Sequence, residues 1–281
     1  MYELCIPNMH VGLVEMARLL VDQGYFSPPD TEQMGDVKNA PVRRLGRPVH
    51  VEIQNPTQRV VFHPETNSNP FVFFFGSLNS ILLNLKPLST VGKMLGEERR
   101  GIPQILFIND TYSSYFEADD GRLAVHVASR SADFVQDCVH ASVVQEFVAK
   151  VADMEIGTMW WTSSNVNVMK KTYEDVVVKM AEKAPSDPYA DGTVKPYRML
   201  GITPNRWTRE LDTFVKTKGK SSFSDLFFSN VAIPLLEAGE ALNTKNFDKA
   251  RMEAAGCFAT DWGTACREWV VRAGMRCIDD V

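Results

Sequence analysis

The stretch Gly121–Phe147, GRLAVHVASRSADFVQDCVHASVVQEF, decides how this chain is read. It begins as an alternating run, the period of an extended strand. It ends in an apolar-periodic run that continues past it, in which Val139, Val143, Phe147 and Val151 recur at helical spacing. Between the two sit Arg130, Ser131 and Asp133, with Asp137 and Cys138 just after them. A guanidinium and a hydroxyl at a strand–helix junction can hold a phosphate through bidentate, charge-assisted hydrogen bonds. The same pair also reads as a surface arginine beside a capping serine. Asp137 suits the positive end of the helix; alternatively its carboxyl reads the exocyclic amino group of a base. Cys138 is either a thiolate lowered by the helix N-terminus or a buried, inert thiol.

Outward from this stretch the punctuation is regular. Asp119-Asp120-Gly121 predicts a hairpin turn between the strands TYSSYFEAD and GRLAVHVAS. GIPQILFIND is a further strand, and Arg99 and Arg100 precede it. Adjacent arginines point to opposite sides if extended, so one can reach a subunit interface. The pair also fits a solvated cluster with Glu97 and Glu98. Val49, Val51 and Ile53 alternate in a strand, and Asn69-Pro70 opens a buried apolar helix. Residues Val11–Asp22 read as an amphipathic helix, with Leu13, Met16, Ala17 and Leu20 on one face. EIGTMWWTSSNVNVM returns to strand character, and YEDVVVKMAEKA is helical. SDPYADGTVKPYRMLGITPNRW is a loop, and the tail from Ser224 onward is helical in two or three segments. With no composition shift and no repeat, one α+β domain over 1–281 is the expectation.

Bulk composition removes several classes. A hydrophobic content of 44% is ordinary for a globular protein. A net charge of −5 argues against non-specific duplex binding while allowing a local basic pocket. The five cysteines are widely spaced without a CxxC pair, which predicts a reducing cytoplasm. The five histidines lack metal-ligand spacing, so no metal is expected. No apolar run reaches the roughly 20 residues of a membrane helix.

Taken in order, these motifs resemble the thymidylate synthase and deoxycytidylate hydroxymethylase superfamily, phage-type members especially. NPTQRVVFHPETNSNPFVFFFGSL is similar to its NPxxRV…NPF segment, RRGIPQIL to its double-arginine strand, and GRLAVHVASRSADF to its RSxD phosphate motif. VHASVVQEFVA, EIGTMWWTSSNVNV and DWGTACREWVVRA follow in the family's order. The resemblance implies a thymidylate-synthase-like fold and a sheet-to-sheet homodimer. Its ligands would be a pyrimidine nucleoside monophosphate and methylenetetrahydrofolate, with one-carbon transfer to C5. Arg130 and Ser131 would bind the 5′-phosphate, joined by Arg99 and Arg100 from the other protomer and by Arg43 or Arg44. Asp137 would read the base and favour cytosine, and Asn167 would lie at the sugar. A phage-type chain would act in host cytoplasm on precursors of modified DNA.

The departures from the family are chemical. Its nucleophilic cysteine position falls on Asp110, which leaves Asp110 and Cys138 as the catalytic candidates. Its glutamate position falls at Gly76 or Ser77, its following tryptophan near Asn79, and its sugar-holding His and Tyr at Asn167 and Met169. Phosphate binding is retained while the bond-making set is changed. Two readings follow: an enzyme acting at C5 with a relocated or absent nucleophile, or a non-catalytic paralogue. The latter would bind nucleotide or serve as a regulatory or scaffolding subunit.

Overall fold

The computed structural model describes residues 1–27, 41–63, 69–98, 104–107, 112–130, 133–183 and 186–279. The chain opens with β1 (Tyr2–Ile6), α1 (Met9–Gln23), β2 (Tyr25–Ser27), β3 (Val42–Arg44) and β4 (Val49–Ile53). Helices α2 (Pro70–Leu83) and α3 (Leu85–Glu98) follow, then strands β5 (Gln104–Phe107), β6 (Tyr112–Asp119) and β7 (Arg122–Ser129). Helix α4 (Phe134–Ala152) leads to β8 (Glu155–Ser163) and β9 (Asn167–Met169). A helical stretch then runs through α5 (Lys170–Thr172), a π turn at Tyr173–Val177 and α6 (Val178–Ala181). The last third holds α7 (Pro204–Thr217), a π turn at Phe228–Ala232, α8 (Ile233–Asn243), α9 (Phe247–Ala255) and α10 (Thr260–Asp279).

Six strands form one mixed sheet in the order β1-β4-β8-β7-β6-β5. β1 pairs parallel with β4, and β7 with β8; the other pairs are antiparallel. β2, β3 and β9 make a small antiparallel sheet. This mixed α+β arrangement is compatible with the thymidylate-synthase-like fold. The β6–β7 hairpin closes on Asp120 and Gly121, with φ of 44° and 76°. A two-residue turn of that hand matches strand twist, and glycine meets its positive φ without strain.

Alternation sorts the large sheet into faces. Val49, Val51, Ile53, Leu123, Val125, Val127, Met159 and Trp161 are buried in the core. On the opposite face Tyr115, His126 and Trp160, from three adjacent strands, stack with ring centroids 4.3 Å apart at each step. His50 Nδ1 lies 2.8 Å from Thr162 Oγ1 on the same side. Cross-strand aromatic pairs of this kind contribute roughly 0.2–1 kcal/mol each.

Helix α4 departs from the one-sided helix that its spacing predicts. It is buried on nearly every face, including the polar Asp137, Ser142, Gln145 and Glu146. Gln145 Nε2 donates to the carbonyls of Leu123 at 2.7 Å and Gly157 at 3.1 Å, where the β7–β8 register shifts. Buried carbonyls at such a shift need a donor, so a polar residue on this helix performs a backbone's task. Other expectations shift too. The helix after the long loop starts at Pro204, inside the segment read as loop, because proline at the first helical position is preorganised for entry. Arg43 and Arg44 lie on strand β3, and the EIGTMWWTSSNVNVM strand breaks after Ser163 to join both sheets.

Among the described residues no single helix is long and apolar enough to cross a membrane. The apolar helix α2 instead buries Phe71, Phe74, Leu78 and Ile81.

Candidate functional site

The strand–helix junction is built by two local signals. β7 ends at Ser129, and Asp133 caps α4 by accepting the Gln136 N–H at 3.0 Å. The N-cap role therefore belongs to Asp133, four residues before the helix start at which the spacing placed Asp137. Arg130 stands exposed at the end of β7. The position fits an anion site: a guanidinium beside the N-terminus of a 19-residue helix.

Asp137 lies inside, 1% exposed. Its Oδ2 accepts the Ser129 hydroxyl at 2.5 Å and the Trp161 Nε1–H at 3.4 Å. Trp161 meets Phe134 edge-on, with centroids 5.2 Å apart. The carboxylate thus joins the ends of β7 and β8 to the first turns of α4. Cys138 beside it is completely buried, and burial, reinforced by the neighbouring Asp137 and Asp133, pushes its thiol well above the ordinary range. A thiol so placed is neutral at physiological pH and has no thiolate to offer.

The remaining candidates divide. Arg44 and Asn167 are cross-strand partners in β3 and β9, so the small sheet brings them together. Asn167 Nδ2 donates to Asn165 Oδ1 at 2.9 Å. Arg43 serves the fold. Its Nε and Nη2 donate to the Leu20 and Val21 carbonyls at 3.1 and 2.9 Å, completing the end of α1. Its guanidinium also lies 5.1 Å from the Phe26 ring and 5.0 Å from the Tyr173 ring. Arg99, Arg100, Asp110 and Ser131 lie outside the described residues.

Two buried polar features had no counterpart in the sequence reading. The first is the pair Arg59–Glu146, with Nη2 2.6 Å from Oε2 and Arg59 fully buried. Glu146 Oε1 accepts the amide hydrogens of Met199 at 2.5 Å and Leu200 at 3.2 Å. Nearby, Tyr189 accepts the Val60 N–H at 3.1 Å and donates to Asp261 at 3.4 Å. Burial raises Asp261 to about 6, partly offset by the Trp262 amide and Arg59.

The second is His140, one helical turn beyond Asp137 and 8% exposed. Among the described residues neither ring nitrogen has a hydrogen-bond partner. A Cβ added to Gly76 on α2 would stand 3.0 Å from His140 Nε2. The imidazole thus occupies the room that any side chain at position 76 would need. Burial lowers its pKa to about 4, so the ring is neutral, with one donor and one acceptor unspent. Among the described residues no three His, Cys, Asp or Glu side chains cluster as a metal site.

These elements define a mixed-sheet protein with an anion-suited strand–helix junction and a polar interior beneath it. No family model matches the chain. It is 28% identical, over 84% of its own length and 87% of the relative's, to the deoxyuridylate hydroxymethyltransferase of Pseudomonas phage M6. That similarity agrees with the resemblance to thymidylate-synthase-like hydroxymethylases carried by the motifs.

Proposed function

We propose that this chain is a hydroxymethyltransferase acting at C5 of a pyrimidine deoxynucleoside monophosphate, in the cytoplasm of a phage-infected host. The observation that carries the reading is the similarity to the phage enzyme along most of both chains. The exposed Arg130 at the head of α4 agrees with it. In this reading Arg130 and Ser131 hold the 5′-phosphate, Arg99 and Arg100 approach it from a second protomer, and Arg44 and Asn167 lie toward the sugar and phosphate. The chain acts as one domain. Its homodimer buries the sheet face that carries Tyr115, His126 and Trp160.

Deoxyuridylate is the substrate we favour. The relative's name specifies it, and Asp137 Oδ2 is engaged by Ser129 and Trp161. A cytosine preference is the alternative, and it needs the Asp137 carboxyl to meet the amino group of the base. A folate-class donor would supply the one-carbon unit. The two unspent nitrogens of His140 are a donor set suited to the edge of a flat heterocycle, whether substrate or donor.

A non-catalytic nucleotide-binding role is the second reading, favoured by the neutral, buried Cys138 and by Gly76 or Ser77 in the family's glutamate position. The deciding experiment is release of C5 tritium from labelled dUMP and dCMP in the presence of methylenetetrahydrofolate. Release from dUMP, lost in Arg130→Ala, supports the enzyme. Nucleotide binding without release supports the second reading, and absence of both defeats the two together. Light scattering at micromolar concentration should give a dimer mass; a monomer defeats the shared site.

A further inference from the structure

Among the described residues, His140 is a buried side chain with both of its polar atoms unpartnered. Native proteins seldom bury a polar side chain with every hydrogen-bonding atom unsatisfied, because desolvation without a partner costs free energy. An imidazole has two such atoms, and both are unpartnered here. The neighbouring backbone is arranged to permit this. Gly76 is half-buried within α2, an interior helical position where glycine is unfavourable. Alanine there would improve the helix locally, yet its Cβ would press on Nε2 at 3.0 Å and Cε1 at 3.4 Å. Two stability costs thus meet at one point, a glycine in a helix and an imidazole without partners. Such a coincidence marks a site kept for a ligand.

Resting on the function proposed above, we propose that His140 is a substrate-contacting residue, its imidazole fitting against α2 because position 76 is glycine and hydrogen-bonding the bound pyrimidine nucleotide. The ring sits one turn along α4 from Asp137, and residues at that spacing are neighbours on a helix surface. α4 therefore places His140 within the same end of the core as Ser129, Asp137 and Trp161. A neutral imidazole offers an acceptor to the N3–H of uracil and a donor to a carbonyl oxygen. Its lowered pKa keeps both functions available across the physiological range.

The test uses the full chain with dUMP and dCMP as probes. His140→Phe and Gly76→Ala should each weaken dUMP binding by calorimetry about tenfold, the scale of one lost hydrogen bond. His140→Phe should not lower Tm, because it removes unsatisfied buried atoms; Gly76→Ala, which crowds the ring, is judged by affinity alone. A purely structural histidine would show the reverse, with Tm falling and affinity unmoved. His140→Gln, which retains a donor and an acceptor, should recover part of the affinity. In the wild type labelled with 15N-histidine, saturating dUMP should shift the ring nitrogens of His140. That arm decides even if a variant fails to fold. Unshifted nitrogens, or wild-type affinity in His140→Phe, overturn the inference while leaving the proposed function intact. A wild type that binds neither nucleotide overturns that function, and this inference falls with it.

Discussion

Asp137 and Ser129 share a hydrogen bond of 2.5 Å that joins the first turns of α4 to the last residue of β7. Trp161 from β8 donates to the same carboxylate oxygen. The residue next to the exposed Arg130 is thus anchored from behind by a buried acid. The strand–helix junction inherits its position from the core.

Removing that anchor should cost stability first. Asp137→Ala leaves a buried hydroxyl and an indole N–H without their acceptor, and should lower unfolding free energy by about 2–4 kcal/mol. Asp137→Asn keeps volume and one acceptor, so it should cost less. If Asp137 is structural, the dUMP-to-dCMP affinity ratio of the Asn variant stays that of the wild type. A switch in that ratio would restore the carboxyl to the role of base reader. Urea unfolding and calorimetry measure the two effects separately.

The Arg59–Glu146 pair links the segment after β4 to α4 and to the Met199–Leu200 backbone. Breaking it from one side strands a charge in the core. Arg59→Met and Glu146→Leu should each cost about 3–5 kcal/mol. The double variant should be more stable than either single one, because the apolar pair leaves no ion unpaired. Equal additive losses in a urea-denaturation cycle would refute the coupling.

Stability against pH should be shaped by two opposed groups. His140 titrates near 4 when folded and near 6.5 when unfolded. Between those values the unfolded chain holds the extra proton, so acidification from 6.5 through 4 removes about 3 kcal/mol. Asp261 runs the other way. Its folded value of about 6 exceeds the ordinary 3.8, so the folded chain holds the extra proton in that window. Its contribution, present at low pH, is lost as pH rises through 6, also by about 3 kcal/mol. Between pH 4 and 6 these two contributions therefore nearly cancel. His140→Phe should uncover a stability that falls with rising pH there, and Asp261→Asn one that rises. Parallel profiles for all three proteins would contradict this assignment.

The cysteines give a simple chemical check. Cys5 is exposed, whereas Cys138, Cys257 and Cys266 are buried. Burial raises the thiols of all three, Cys257 to about 12. Among these four, only Cys5 should react with a disulfide reagent in the native state, and the others only after unfolding. Cys138→Ala should cost about 1 kcal/mol from the small cavity and leave C5 tritium release intact. Loss of release in a folded Cys138→Ala protein would return that thiol to the chemistry.

Much of the fold is legible in one dimension because strand and helix periods are local properties. Val49, Val51 and Ile53 report a half-buried strand, Asp120-Gly121 a tight hairpin, and Asn69-Pro70 a helix start; each is observed. The RSxD junction between strand and helix is legible for the same reason. Periodicity fails where burial is not one-sided. α4 reads as amphipathic from Val139, Val143 and Phe147, yet elements on several sides enclose it, so Gln145 and Glu146 turn inward to satisfy backbone groups.

What the order of residues determined by itself was the succession of strands, turns and helices and the placing of Arg130 at a junction suited to an anion. What only the tertiary structure decided was which polar groups meet inside. It set Asp137 against Ser129 and Trp161, Arg59 against Glu146, and the unpartnered ring of His140 against Gly76. The reason is physical: local propensity depends on near neighbours in the chain. Desolvation and hydrogen bonding of a buried side chain depend on groups 8 to 87 positions away in these contacts, which only packing brings within reach.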